Sequence, residues 1–113
     1  MKNVVNIAVV GLGQIGIYLL NELNTKKKDI ELKTGKKINV VAVSARSITK
    51  KRRFKVDKKI FYKNPLEIFG KIKVDILFEA IGSSDGISKK VVETALKNKI
   101  HVITPNKALI SKH

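Results

Sequence analysis

Val4-Val5-Asn6-Ile7-Ala8-Val9-Val10 runs directly into Gly11-Leu12-Gly13-Gln14-Ile15-Gly16, and this stretch decides the fold. A β-branched apolar run bounded by glycine reads as a buried strand of a parallel sheet. The residues after it fit G-x-G-x-x-G. That pattern is weak alone, but here it leaves a buried strand and opens an amphipathic helix, the setting in which it binds a dinucleotide. Gly11 permits the tight turn, Gly13 lets the backbone approach a pyrophosphate, and Gly16 lets helix and strand pack closely. The free N–H groups and positive end of the helix then hold the phosphates. Gly11, Leu12, Gly13, Gln14, Ile15 and Gly16 are therefore candidate cofactor-binding residues.

Outward from this junction, strands and helices alternate. A helix begins near Gln14, with Ile15, Leu19 and Leu23 as its apolar stripe and Tyr18 beside it. Asn24 to Lys37 either extends that helix or forms a loop, and Gly35 suits its C-cap. Ile38 to Val43 reads as the second strand, Ser44 to Lys59 as a polar, basic loop, and Phe61-Tyr62 as a short third strand. Asn64-Pro65 starts a short helix through Phe69, with proline at its first position. Val74 to Ile81 is the next strand, ending at Gly82. Ser84 or Asp85 caps the helix that follows, whose apolar residues are Ile87, Val91, Val92, Ala95 and Leu96. His101 to Thr104 is a last strand, broken by Pro105, and Lys107 to Ile110 begins another helix. This alternation implies a parallel sheet with right-handed crossovers. The expected fold is α/β, a Rossmann-type doubly wound parallel sheet forming one domain over residues 1–113 and incomplete at its C-terminus.

Composition narrows the function. The chain has 113 residues and 43% apolar content, enough for one domain with a core. It has no cysteine, and its histidines are His101 and His113, which excludes disulfides, thiolate sites and a histidine metal cluster. No apolar run approaches the roughly 20 residues of a membrane helix. Val4 to Val10 contains Asn6 and meets glycine without a cleavage site, so it is no signal peptide and the protein is expected in the cytoplasm. The net charge of +15 invites a nucleic-acid reading. However, the lysines are spread along the chain and aromatics are only 5%, so stacking platforms are scarce. The excess reads as solvated side chains, with local clusters left to serve an anionic cofactor.

Three strand-to-helix junctions carry the remaining chemistry, because ligands of such sheets lie across the carboxyl ends of the strands. After the second strand the chain reads Val43-Ser44-Ala45-Arg46-Ser47. No acid is present to bind a ribose 2′-hydroxyl. Arg46 suits adenine stacking and a 2′-phosphate, with Lys50, Lys51, Arg52 and Arg53 adding positive charge nearby. NADP is therefore the expected cofactor, with NAD as the alternative. At Glu79-Ala80-Ile81-Gly82-Ser83-Ser84-Asp85-Gly86, Gly82 and Ser83 are expected near the nicotinamide. Glu79 reads equally as a structural carboxylate or a hydrogen-bonding partner at the strand end. At Thr104-Pro105-Asn106-Lys107, Thr104 and Asn106 are expected at the cofactor, and Lys107 is placed to meet a carbonyl or hydroxyl beside the nicotinamide.

Phe78-Glu79-Ala80-Ile81-Gly82-Ser83-Ser84-Asp85-Gly86, followed by His101-Val102-Ile103-Thr104-Pro105-Asn106-Lys107-Ala108-Leu109-Ile110, resembles homoserine dehydrogenase. That family has an E-x-x-G-G stretch and then a T-A-N-K-A-L-like stretch. Val41 to Arg46 resembles the family's second strand. Ser83 replaces the second glycine and Pro105 the usual alanine. The resemblance covers essentially the whole chain. It implies interconversion of aspartate 4-semialdehyde and L-homoserine, a step toward threonine and methionine, with Lys107 as catalytic or substrate-contacting lysine. It also implies that the substrate-binding carboxylates, a second catalytic lysine and the dimerising part of a homo-oligomeric enzyme lie beyond residue 113. A fragment of this kind is expected to be inactive alone. The alternatives are another amino-acid dehydrogenase of the same fold, such as aspartate dehydrogenase, a non-catalytic dinucleotide-binding module, and a basic nucleic-acid binder.

Overall fold

The computed structural model describes residues 3–45, 57–81 and 86–104. The strands are β1 (Val4–Val10), β2 (Lys37–Ser44), β3 (Phe61–Tyr62), β4 (Ile76–Glu79) and β5 (His101–Ile103), and the α-helices are α1 (Gln14–Thr34) and α2 (Ile87–Lys97). Short 3₁₀ turns cover Lys58–Ile60 and Pro65–Ile68, the latter capped by the Asn64 side chain. The sheet has five strands in the order β3-β2-β1-β4-β5, and every pairing is parallel. The chain thus winds outward from β1 in one direction through β2 and β3, then in the other through β4 and β5. The reversal beside β1 is the topological switch point at which such sheets bind ligands.

Two-residue periodicity sorts the side chains of β1 onto opposite faces. Ala8 and Val10 pack with Leu77, Val91 and Ala95 beneath α2, whereas Ile7 and Val9 pack with Leu20 and Val43 beneath α1. A register shift between Ile7 and Ala8, opposite Val40 and Ala42, leaves Val41 as the extra residue of β2. The residues between Asn24 and Thr34 continue α1, which ends at Gly35 in a left-handed conformation. Its outer surface carries the pairs Glu22–Lys26 and Asp29–Lys33, and the bond to Glu22 holds the Lys26 ammonium above the usual lysine range.

Two expected faces are buried only in part. On α1, Ile15 and Tyr18 are exposed, while Gly16 and Leu20 are buried and Leu19 and Leu23 flank them. The cause is Gly16, which must face the Gly11 turn for the backbones to touch. Ile15 is then turned away by the roughly 100° that separates successive helical residues. On α2, Val91, Val92 and Ala95 are buried as expected, but Ile87 and Leu96 are exposed and Ser88 is buried. Ser88 shares the inward stripe at helical spacing, and its hydroxyl has a partner inside. The cap position of α2 falls on Gly86, not on Ser84 or Asp85, which lie outside the described residues.

β4 is shorter than the apolar run suggests. The backbone N–H of Asp75 donates to the Asn6 carbonyl at 2.8 Å, and its carboxylate accepts from the Asn6 N–H at 2.8 Å, which starts the strand pair. Among the described residues no helix is long and apolar enough to cross a membrane.

Candidate functional site

The carboxyl ends of β1, β2 and β4 converge at Gly11. Its N–H donates to the Ser44 carbonyl at 2.8 Å, and the Ala80 N–H donates to the Val10 carbonyl at 2.7 Å. Gly11 has a φ of 96°, and a Cβ there would lie 2.6–2.8 Å from the backbone of Ala80 and Ile81. Glycine is required on both counts, conformation and space. A Cβ on Gly16 would collide with the Gly11 carbonyl oxygen. The start of α1 therefore lies backbone to backbone against the turn that enters it.

Gly13 is different. Its φ of −79° suits any residue, and no atom lies within 4 Å of the position a Cβ would take. Local packing does not demand glycine here. The demand fits a ligand that comes close to the backbone, as the pyrophosphate of a dinucleotide does. Gly13 is also the cap of α1, with no side chain to accept the first-turn N–H groups, and that turn holds no acid. This donor set fits an anion. Gln14 and Ile15 are exposed at the same end. Leu12, a cofactor candidate from sequence, turns its side chain into the core, which leaves its backbone at the turn.

The next strand ends are joined by a side chain. Glu79 is fully buried at the end of β4. One carboxyl oxygen, Oε2, accepts from the Ile81 N–H at 2.7 Å and the Ser88 hydroxyl at 2.8 Å. The other, Oε1, accepts from the Thr104 hydroxyl at 2.8 Å. Thr104 thus sits at the carboxyl edge as expected, with its hydroxyl directed to Glu79. The two readings of Glu79 from sequence meet here: it is a buried carboxylate and a hydrogen-bonding partner at the strand end. Ser88 was not among the candidates. Its signal was its spacing with Val91, Val92 and Ala95, masked by its polarity.

The remaining candidates, Arg46, Lys50, Gly82, Ser83, Asn106 and Lys107, lie outside the described residues, as do Lys51, Arg52, Arg53 and the helix expected from Lys107. The described chain leads towards each of them from a strand end at the same edge: Ala45 from β2, Ile81 from β4 and Thr104 from β5. A cleft of about 440 Å³ opens at the opposite, amino end of the strands, among Phe69, Val74, Asn98 and His101. It is not where the strand ends converge. Among the described residues no group of His, Asp and Glu is placed to hold a metal ion.

Residues 11–113 match the family described as the homoserine dehydrogenase NAD-binding domain. The chain is 31% identical over 109 residues to the homoserine dehydrogenase of Neisseria gonorrhoeae, covering 96% of this chain and 25% of that protein. It is 27% identical over 110 residues to the enzyme of Mycobacterium leprae, covering 97% and 24%. The crystal structure of S. aureus homoserine dehydrogenase superposes with a TM-score of 0.84 at 32% identity, covering 96% of this chain and 28% of that one. The chain spans about a quarter of the length of these relatives.

Proposed function

The chain belongs to the homoserine dehydrogenase NAD-binding family, and on that basis we propose that it is the dinucleotide-binding part of an NADP-dependent homoserine dehydrogenase. The reaction is the interconversion of L-aspartate 4-semialdehyde and L-homoserine, on the way to threonine and methionine. The enzyme works in the cytoplasm as a homo-oligomer, and the substrate-holding groups belong to the portion of the relatives that this chain does not span. The observation that carries the reading is Gly13, a bare, open helix cap at the switch point of the sheet.

When bound, the reduced nicotinamide supplies the hydride. The chain's own residues supply binding and placement. The backbone from Gly11 to Gly16 holds the pyrophosphate. Arg46, with Lys50 beside it, takes the 2′-phosphate, because β2 ends at Ser44 without an acid to bind a ribose hydroxyl. Gly82, Ser83 and Asn106 line the nicotinamide half, and Thr104 joins them through its backbone, since its hydroxyl is given to Glu79. Lys107 stabilises negative charge on the substrate oxygen, a role that typically contributes two to three decades of rate, on the order of 10²–10³.

Titration of the protein with NADPH and NADH tests the reading. NADPH should bind more tightly, and Arg46→Ala should narrow the difference. Gly13→Ala should weaken both by about tenfold, the cost of overpacking one methyl group, while the thermal transition stays in place. Wild-type affinity in Gly13→Ala would show that no ligand approaches that backbone.

A further inference from the structure

The glycine turn and the Glu79 cluster sit side by side and are held in different ways. The turn is tied to its neighbours by backbone bonds, Gly11 N–H to Ser44 and Ala80 N–H to Val10. Glu79 instead gathers Ile81, Ser88 and Thr104. Burying a carboxyl group is costly unless its oxygens are hydrogen-bonded, and an apolar residue would close β4 against α2 with no such requirement. The bonded groups share one property: each lies where a strand exits or a helix enters at the carboxyl edge. Ile81 immediately precedes Gly82-Ser83, Ser88 lies in the first turn of α2, and Thr104 immediately precedes Pro105-Asn106-Lys107.

We propose that Glu79 is a positioning residue that ties the exits of β4 and β5 together, and so fixes the nicotinamide half of the cofactor site independently of the phosphate half. The inference rests on the dinucleotide reading above. A rigid bridge from Glu79 Oε1 to the Thr104 hydroxyl sets where the chain towards Lys107 departs. The Oε2 bonds to Ile81 and Ser88 set where the chain towards Gly82 departs and where α2 begins. The bridge adds to strand pairing that is brief here, because β4 and β5 are short.

The test compares two probes, NADPH and 2′,5′-ADP, the second of which lacks the nicotinamide. Each is titrated by calorimetry against the wild type, Glu79→Gln, Thr104→Val and Thr104→Ser. Expected is a selective loss: 2′,5′-ADP affinity within about twofold of wild type in every variant, NADPH affinity about tenfold lower in Thr104→Val, the scale of one buried bond left unmade, and NADPH affinity within about threefold of wild type in Glu79→Gln, whose amide can accept from Ile81 and Ser88 and donate to the Thr104 oxygen. Thr104→Ser, which keeps the hydroxyl, should restore NADPH binding. Equal weakening of both probes would show a merely structural role and overturn the inference, as would unchanged NADPH affinity in Thr104→Val. A wild type that binds NADPH no better than 2′,5′-ADP would overturn it too, with the dinucleotide reading intact. A wild type that binds neither probe would overturn that reading itself. If Glu79→Gln fails to fold, the Thr104→Val and Thr104→Ser pair decides alone, because the bonds of Glu79 to Ile81 and Ser88 stay in place.

Discussion

The helices α1 and α2 both follow a parallel strand, both begin at a glycine cap, and neither has an acid in its first turn. They are attached by opposite means. α1 is brought in by removing side chains: Gly16 lies on the carbonyl of Gly11, and nothing else would fit. α2 is brought in by adding them: Ser88 donates to the buried Glu79. Backbone contact leaves the helix end close to the strand and bare, which is what an anion needs. Side-chain contact spends the polar groups on each other and makes the junction rigid. The fold thus leaves one helix end open and ties the other to the strand exits.

The sharpest way to break this comparison is Gly16→Ala. The added methyl group meets the Gly11 carbonyl oxygen, so the helix and the turn that enters it must separate, and no side chain can move aside. The expected loss is about 3 kcal/mol or more, beyond the ordinary range for overpacking. Against a total of roughly 5–15 kcal/mol for a small domain, this should lower the urea midpoint by a large fraction or prevent folding. A near-native midpoint would mean that α1 is not held by backbone contact.

The same contrast explains what could be read from the sequence. The attachment of α1 was legible because glycines at fixed spacing after a β-branched run have few other uses. The strand alternation, the end of α1 at Gly35 and the turn at Asn64-Pro65 were legible for similar local reasons. The partial burial of the expected α1 stripe was not. Ile15 and Tyr18 look like core by hydrophobicity, and only the contact of Gly16 with Gly11 turns them outward. Glu79 and Ser88 are nine positions apart and each is ambiguous alone. Their partnership exists only once β4 and α2 are packed, so a rule that places polar residues outside assigns Ser88 to the wrong face. The exits that lead to Arg46, Gly82 and Lys107 follow from strand order, and those residues themselves lie outside the described structure.

Ser88→Ala sharpens the comparison from the other helix. It removes one of the two bonds that the described residues make to Glu79 Oε2 and leaves a small apolar side chain of similar size. Losing one buried hydrogen bond costs about 1 kcal/mol. Alanine's better helix propensity offsets only a few tenths, since the residue lies in the first turn. Chemical denaturation should therefore show a net loss of about 1 kcal/mol, well short of the effect at Gly16. In a cycle with Glu79→Leu, which removes the acceptor, the two losses should fail to add, because both act on one bond. Strict additivity would mean that Ser88 and Glu79 contribute separately, and that α2 is seated by apolar contacts alone.

The far ends of the helices extend the contrast, with the smallest expected effect. α1 closes on Gly35 at a φ of 74°, and α2 closes through Lys99 at a φ of 59°. At α2 the Ile100 N–H donates to the Ala95 carbonyl at 2.9 Å and the Lys99 N–H to the Leu96 carbonyl at 3.1 Å, the paired bonds of a Schellman ending. Ala95 and Ile100 are both buried in the core beneath α2, so the motif is locked by packing and forces Lys99 into the left-handed region. A residue with a Cβ is held there at a cost of about 1–2 kcal/mol that glycine avoids. Lys99→Gly should relieve that strain, less the roughly 0.4–1 kcal/mol by which glycine favours the unfolded chain. The net expectation is a stabilisation of about 0.5 kcal/mol, visible as a small rise in the midpoint of thermal or urea unfolding. The lysine is exposed, so no buried contact is lost with it. Gly35→Lys should move stability the opposite way, since no tertiary contact crowds the Cβ position there and only the backbone strain is added. If Lys99→Gly instead destabilised, the lysine side chain would have to be making an interaction worth more than the strain, and the two helix endings would differ in kind as their beginnings do.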